Sequence, residues 1–370
     1  AFLKESSEKP EVYDAAMCLF ENNDGHAMSR HLAYSKEEGG FYAGIMDTQL
    51  TLRTAMEVNG ASVIYDLLFH SNGIMHARTK TTGYIITSFF ASSEQPYGHR
   101  VHNKLLGNIH QDMVNIKIDI DTNGQSNRYE TLDIKQETVM STAFPDKAYS
   151  QTRFNSSLKS TEKESVYDFD FSQPKYHIVH NNEKRNKYNE KRAYRIEVRD
   201  VAKSLLESDL ANENSIPWAR HQIVVTKHKE EEASSSSVYA LLDSQDPAVD
   251  FSKYYEDDEN IVDQDLVFWV TAGSHHIPRS EDIPNAATVG SHMSVFLSPH
   301  NYFDESPSAA LRDAIYITYK DPKDPSKGVR VDRNGNSRQQ CVIPKPSLED
   351  DLEKNPDRAL ESRRPKSTDI

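Results

Sequence analysis

Cysteine is nearly absent from this chain of 370 residues: Cys18 and Cys341 are too few for a disulfide framework and do not indicate a redox compartment. No window approaches the roughly 18 uninterrupted apolar residues of a membrane-spanning helix, so no span is expected. The opening "AFLKESSEKP" lacks the apolar core of a leader, so the expectation is a mature chain or one whose front is missing. Excess positive charge is lacking too. With 43 Lys and Arg against 57 Asp and Glu, the net charge of -14 argues against a general binder of nucleic acid or anionic membrane, because neutralising phosphates takes a basic surface. The basic run "EKRNKYNEKRAYR" is local and is expected to be a solvated hairpin face.

What is present is aromatic and strand-like. The chain carries 14 Phe, 18 Tyr and 2 Trp although only 36% of it is hydrophobic, which places much of the polarity in loops and a tail. "VNIKIDID", "RAYRIEV", "HQIVVTK" and "AIYITYK" follow the two-residue period of strands, with Gly and Pro punctuation between them. Only "RDVAKSLLESDLANENS" has helical spacing. The expectation is an all-β chain, a sandwich over residues 1–320 with few short helices. The Ser-rich "KEEEASSSSVYALLDSQDP" is expected to be a surface loop, and residues 321–370 a charged tail, extended or disordered. "NSS" at Asn155 is a glycosylation sequon, relevant if the protein is secreted.

One stretch, "HQDMVNIKIDIDTNGQSNRYE", carries two metal signals. Asp119, Asp121, Asn123, Gly124 and Glu130 fit the calcium-loop pattern D-x-D-x-N-G-x5-E. An EF-hand needs helices on both sides, whereas this loop follows an alternating strand and another strand resumes after it. The expectation is therefore a hairpin with "TNG" at its tip, whose clustered carboxylates still suit a hard cation such as Ca²⁺. His110 and Asp112, two apart on one strand, share a face and make half of a metal site. The candidate third ligand lies in "VTAGSHHIPRSEDIP", where His275 and His276 project to opposite faces if extended.

"YDLLFHSNGIMHARTKTTGYI", "YGHRVHNKLLGNIHQDMVNIKIDID", "VTKHKEEEASSSSVY", "DLVFWVTAGSHHIPRSEDIPN" and "NYFDESPS" together resemble the carboxy-terminal catalytic domain of animal copper-containing amine oxidases. The resemblance implies a large twisted β-sandwich, a homodimer and an extracellular, secreted protein. It also implies oxidation of primary amines to aldehydes with release of ammonia and hydrogen peroxide, using copper on three histidines and a tyrosine-derived quinone. Carried over, the copper ligands are His110, Asp112 where the family has histidine, and His276. The quinone-forming tyrosine falls on Ala61, and Tyr65 could replace it only by a four-residue slip that breaks the register to His110. The family's catalytic base, and the partner of the half-disulfide matched by Cys18, would fall before Ala1, as would its smaller amino-terminal domains. One family calcium site maps onto Asp119, the Ile120 carbonyl, Asp121, Asp265 and the Leu266 carbonyl. The second maps onto Glu162, Glu232, the Tyr255 carbonyl, Asp257 and Glu259.

The expectation that follows is a member without topaquinone and without catalysis, a calcium-stabilised dimeric scaffold or binding protein. A second reading is a metalloenzyme on His110, Asp112 and His276. This 2-His-1-carboxylate set suits non-haem iron or zinc, and its carboxylate disfavours Cu(I), so the site could hold copper or another transition metal. A third keeps primary-amine oxidation, with another residue or a partner chain supplying the cofactor. The tail and the basic loop are the surfaces nominated for a partner.

Overall fold

The two-residue alternation of the sequence becomes seventeen strands in the computed structural model, which describes residues 16–333 apart from 37–38, 59, 145–146, 209, 211–212, 239, 241–245 and 312. They are β1 (Met17–Ser35), β2 (Gly39–Val58), β3 (Ala61–His70), β4 (Met75–Gly83), β5 (Thr87–Phe89) and β6 (Gly98–His102). Next come β7 (Leu105–Asn108), β8 (His110–Asp119), β9 (Arg128–Met140), β10 (Ala148–Leu158), β11 (Lys175–Arg185) and β12 (Lys191–Val198). The last are β13 (Ile223–Lys227), β14 (Leu266–His276), β15 (His292–His300), β16 (Ile315–Tyr319) and β17 (Val329–Arg333). The α-helices are single turns, α1 (Glu162–Ser165) and α2 (Lys253–Glu256). Among the described residues no helix is long and apolar enough to cross a membrane.

The described residues divide into two compact units. The first holds residues 16–30 and 44–310, the second 31–43 and 311–333. In the first, a large sheet runs in the order β10-β9-β11-β12-β15-β4-β3-β2, with β1 on β2. A three-stranded sheet, β13-β14-β8, faces it. The core between them joins Tyr129, Val179, Ile196 and Val295 of the large sheet to Val225, Phe268 and Val270 of the small one. The outer face of the small sheet is covered as well: Val224, Val267 and Trp269 pack against Phe251, Trp218 and Tyr254. Central β14 is thus buried on both sides, which is why "LVFWVTAG" reads as one apolar run where other strands alternate. The second unit contains the antiparallel β16–β17 pair, with the Phe41 ring 5.3 Å from that of Tyr316. The strand Val329–Arg333 lies inside the stretch expected to be a charged tail, extended or disordered; Cys341 and residues 334–370 of that tail lie outside the described residues.

Two local expectations are corrected. Among its described residues, "RDVAKSLLESDLANENS" is not helical. Its polar groups bond to strand neighbours instead: Arg199 N–H donates to Ser294 O at 3.0 Å, Asp200 O accepts from Gly273 N at 3.1 Å, and Lys203 O accepts from Gln111 Nε2 at 2.7 Å. Tertiary hydrogen bonds there outweigh a weak helical propensity. The "TNG" loop is not the tip of a hairpin, because β8 belongs to the small sheet and β9 to the large one. The chain crosses between layers there through Asn123 (φ 60°) and Gly124 (φ 119°), and the Asn127 side chain bonds Thr122 N–H and Gly124 O. The basic run does form a hairpin, β11 to β12, turned at Asn189 (φ 67°).

Candidate functional site

His110 opens β8 and His276 closes β14, and the antiparallel register sets them opposite each other. Their second ring nitrogens identify the tautomers. His110 Nδ1 lies 2.9 Å from Asn108 O, and His276 Nε2 lies 3.1 Å from the buried carboxylate of Asp282. Both partners accept, so these ring nitrogens donate, and the remaining nitrogens, His110 Nε2 and His276 Nδ1, face each other at 3.2 Å with lone pairs. Two lone pairs at that separation repel unless a cation, a proton or a metal ion, sits between them. Imidazoles whose far nitrogens are anchored on a carbonyl and a carboxylate are arranged as metal-ligating histidines usually are.

A 410 Å³ pocket joins these histidines to Ala61, Asp112, Tyr84 and Asp282. Ala61 starts β3 opposite Gly83 of β4, so the position matched to the quinone-forming tyrosine does stand in the same pocket as the histidines, bearing a methyl group. Tyr65 lies four residues further along β3, about 13 Å at roughly 3.3 Å per residue, and is not in the lining. Asp112 shares the wall but not the ligand geometry. Among the described residues, His/Cys/Asp/Glu groups with ligand atoms within 4.8 Å of one another are Asp24, His26, Asp47 and Glu162, Asp257, Glu259. The His110–Asp112–His276 triad read from the sequence is therefore delivered as a histidine pair with a carboxylate nearby. His275 points away, exposed beside Gln111.

The acidic sets are gathered by the sandwich. Asp119 ends β8 opposite Val267, and Asp265 precedes β14, so the carboxylates of Asp119, Asp121 and Asp265 meet at one end of the small sheet. Burial, followed by the like charges of Asp119 and Asp121, pushes the Asp265 carboxyl up, and its Oδ1 is buried without a partner. Ile120 and Leu266, whose carbonyls complete the expected ligand set, are both buried there. Glu130 is elsewhere, inside the large sheet, where both its oxygens bond Lys191 Nζ at 2.9 and 2.7 Å. It is not part of this group.

In the second set Glu162 is fully buried at α1, its oxygens accepting from Lys227 N at 3.0 Å and Glu259 N at 3.1 Å. Burial, then the neighbouring Asp257, pushes its carboxyl up to about 7. Lys229 stands among these carboxylates: its Nζ lies 2.7 Å from Glu259, 2.9 Å from Asp257 and 3.6 Å from Glu232. Burial would lower that ammonium's pKa, but its bonds to Glu259 and Asp257 raise it. The Tyr255 carbonyl accepts from Asp258 N. Asn155, the sequon residue, is half-buried on edge strand β10 opposite Asp133.

Two site residues escaped the sequence reading. Asp282 offered only a carboxylate six residues after His276, and nothing local shows that a 3-10 turn (Ser280–Asp282) folds it back onto the ring. Lys229 was one Lys in a charged run.

Residues 1–318 match the family described as "Copper amine oxidase, enzyme domain". A Margaritifera margaritifera protein named as a copper-containing amine oxidase is 41% identical over 334 residues, 90% of this chain and 43% of that protein. The diamine oxidase of Sus scrofa is 37% identical over 313 residues, 84% of this chain and 41% of that protein. The chain thus spans less than half the length of these relatives. Among solved structures, the lysyl oxidase of Pichia pastoris superposes with a TM-score of 0.80 at 26% identity, covering 90% of this chain and 45% of that one. An Aspergillus nidulans amine oxidase superposes equally well, TM-score 0.80 at 26% identity over 91% of this chain and 44% of that one.

Proposed function

The chain belongs to the copper amine oxidase family, matching its enzyme domain over residues 1–318, and from that premise we propose that it is a member without amine-oxidising chemistry, a calcium-stabilised dimeric binding protein. The observation that carries this reading is Ala61: the pocket of His110 and His276 presents a methyl group at the position matched to the quinone precursor. A quinone is made by oxidising a phenol ring, and Ala61 has none. By the same kinship the protein acts outside the cell, bears glycan at Asn155, and pairs with a second copy or another partner chain. The test is a redox-cycling quinone stain on purified protein reconstituted with copper. No stain is expected, and a stain at the level of one quinone per chain overturns the reading.

Calcium supplies stability in this proposal through Asp119, Asp121 and Asp265 at one site and Glu162, Glu232, Asp257 and Glu259 at the other. An ion bound only by the folded state adds about 1.4 kcal/mol at ten times its Kd, which for a chain of this size is a rise of roughly 2 °C in Tm. Calorimetry with chelator and then with calcium measures it. Lys229→Gln removes the fixed cation beside Asp257 and Glu259, so the variant is expected to melt lower than wild type in chelator and to gain more from calcium.

A second reading rests on the facing lone pairs of His110 and His276, which fit a transition ion. These residues would hold it, and when bound it would supply Lewis-acid or redox character to the pocket. His276 is kept in its ligating tautomer by Asp282, and Asp112 offers a carboxylate on the same wall. Elemental analysis separates the readings: stoichiometric iron or zinc, lost in His276→Ala, favours a metalloenzyme, and calcium alone favours the binding protein.

A further inference from the structure

On the first unit's large sheet, three neighbouring strands bring together a second set of imidazoles and carboxylates. β1 supplies Asp24 and His26, β2 supplies Asp47 and Gln49, and β3 ends in His70, the register partner of Gln49. Ligand atoms of Asp24, His26 and Asp47 all lie within 4.8 Å of one another. Gln49 Nε2 spans the two carboxylates, donating to Asp24 Oδ2 at 2.9 Å and Asp47 Oδ2 at 3.0 Å. His26 Nε2 stands 4.0 Å from Asp47 Oδ2, and His70 Nδ1 is 2.9 Å from Asp47 Oδ1.

We propose that Asp24, His26 and Asp47 form a binding site for a divalent transition ion of the zinc type, with His70 holding Asp47 in place from behind. Two carboxylates are brought to one amide nitrogen, one of them 6% exposed; the Asn22 amide also donates to Asp24, and the charge of Arg78, whose ion pair is with Asp66, reaches Asp24, but none of these is a cation in contact with both carboxylates. A divalent ion seated between them supplies that cation. A mixed imidazole and carboxylate donor set suits zinc better than calcium, which takes oxygen ligands.

An independent observation points the same way. The buried face that carries Asp47 has unmet hydrogen-bonding capacity: Gln49 Oε1, Thr51 Oγ1, His70 Nε2 and His76 Nε2 are buried without partners. Gln49 and Thr51 are fully buried, and His76 is 8% exposed. They share the face, because Asp47, Gln49 and Thr51 are two apart on β2, Gln49 pairs with His70, and Thr51 pairs through Leu68 with His76. Polar atoms left dry are costly, and waters admitted with an ion at Asp47 would reach the nearest of them, those on Gln49 and His70, whose side chains both bond Asp47. The His70–Asp47 bond matches the outer-shell contacts that orient metal ligands.

The test uses the full chain dialysed against Zn²⁺ with excess Ca²⁺ present, which keeps the all-oxygen sites filled, followed by elemental analysis. Asp24→Asn with His26→Ala is the chosen variant because both residues are exposed and their loss does not disturb packing. Wild type is expected to retain one zinc more than this variant, and His276→Ala is expected to keep that ion, which assigns it away from the His110 pocket. His70→Gln should weaken zinc binding about 10-fold without abolishing it. Cobalt substitution gives a readout that does not depend on stability: visible absorption in wild type and none from this site in the double variant. Equal zinc content in wild type and double variant, or zinc lost only in His276→Ala, overturns the proposal.

Discussion

Reconstituted with copper and offered aliphatic, aromatic and diamine substrates in air, the chain is expected to release no hydrogen peroxide above the buffer control. The expected deficit is total on the scale of the assay, because the reaction it would need is accelerated by about 10⁶-fold or more in a working enzyme and the substrate amine must first react with a carbonyl cofactor. Ala61 has no ring to become that cofactor, and Tyr65 is displaced along β3 by about 13 Å, four residues at roughly 3.3 Å each. Tyr84 does line the pocket, but it is 73% exposed, where water surrounds the ring. Peroxide release that depends on amine and persists over many turnovers would sink the inactive reading. If that activity vanished in Tyr84→Phe, the phenol would have moved within the pocket. If it appeared only with an added partner chain, the cofactor would come in trans.

The second large effect is on stability. Glu130→Ala is expected to cost about 2 kcal/mol at neutral pH, because the carboxylate is 5% exposed and its removal breaks charged hydrogen bonds to Lys191, whose side chain is 33% exposed. Burial alone would raise the Glu130 pKa, but His180 at 3.6 Å, Lys191 at 2.7 Å and the Ser156 hydroxyl at 2.7 Å outweigh it and hold the carboxyl at about 2 against an ordinary 4.5. A depressed carboxyl contributes stability that is present above its unfolded value and lost as pH falls through its folded one, so the window lies between about 4.5 and 2. Over that window wild type loses roughly 3 kcal/mol from this group, because each tenfold difference in proton affinity between the folded and unfolded chain is worth about 1.4 kcal/mol. In Glu130→Gln the carboxyl is gone and urea midpoints should fall less steeply across the same range. Parallel pH profiles for the two proteins would show that Glu130 is not the group responsible.

Glu130 also shows how far the calcium-loop pattern could be taken. Its spacing from Asp119 fits a calcium loop, yet β8 and β9 lie in different sheets, so the end of the pattern is carried into the large sheet while Asp119 and Asp121 stay with the small one. The carboxylate that joins them, Asp265, is far along the chain and arrives because β14 pairs with β8. Kinship with the oxidase domain nominated Asp265, and periodicity alone offered no route to it. The same division holds at the histidines. "HQD" and "SHHIP" were legible as ligand types and as opposite-facing neighbours, but the pairing of His110 with His276 rests on a strand register that no local pattern encodes.

What the sequence by itself determined is chemical and short-ranged. Two-residue alternation and the scarcity of helical spacing point to a β-sandwich, because burial on one face leaves a periodic trace. The methyl group at Ala61 and the carboxylate at Asp112 are likewise covalent facts, and no fold can turn either into a phenol or an imidazole. Only the tertiary structure decided which groups meet: Asp282 behind His276, Lys229 among Glu232, Asp257 and Glu259, and Asp24, His26 and Asp47 across β1 and β2. It also decided that the described part of the stretch after β12, helical in its spacing, is irregular. Contacts of that kind join residues remote in sequence, and their energies come from desolvation and hydrogen bonds that exist only once the strands are paired.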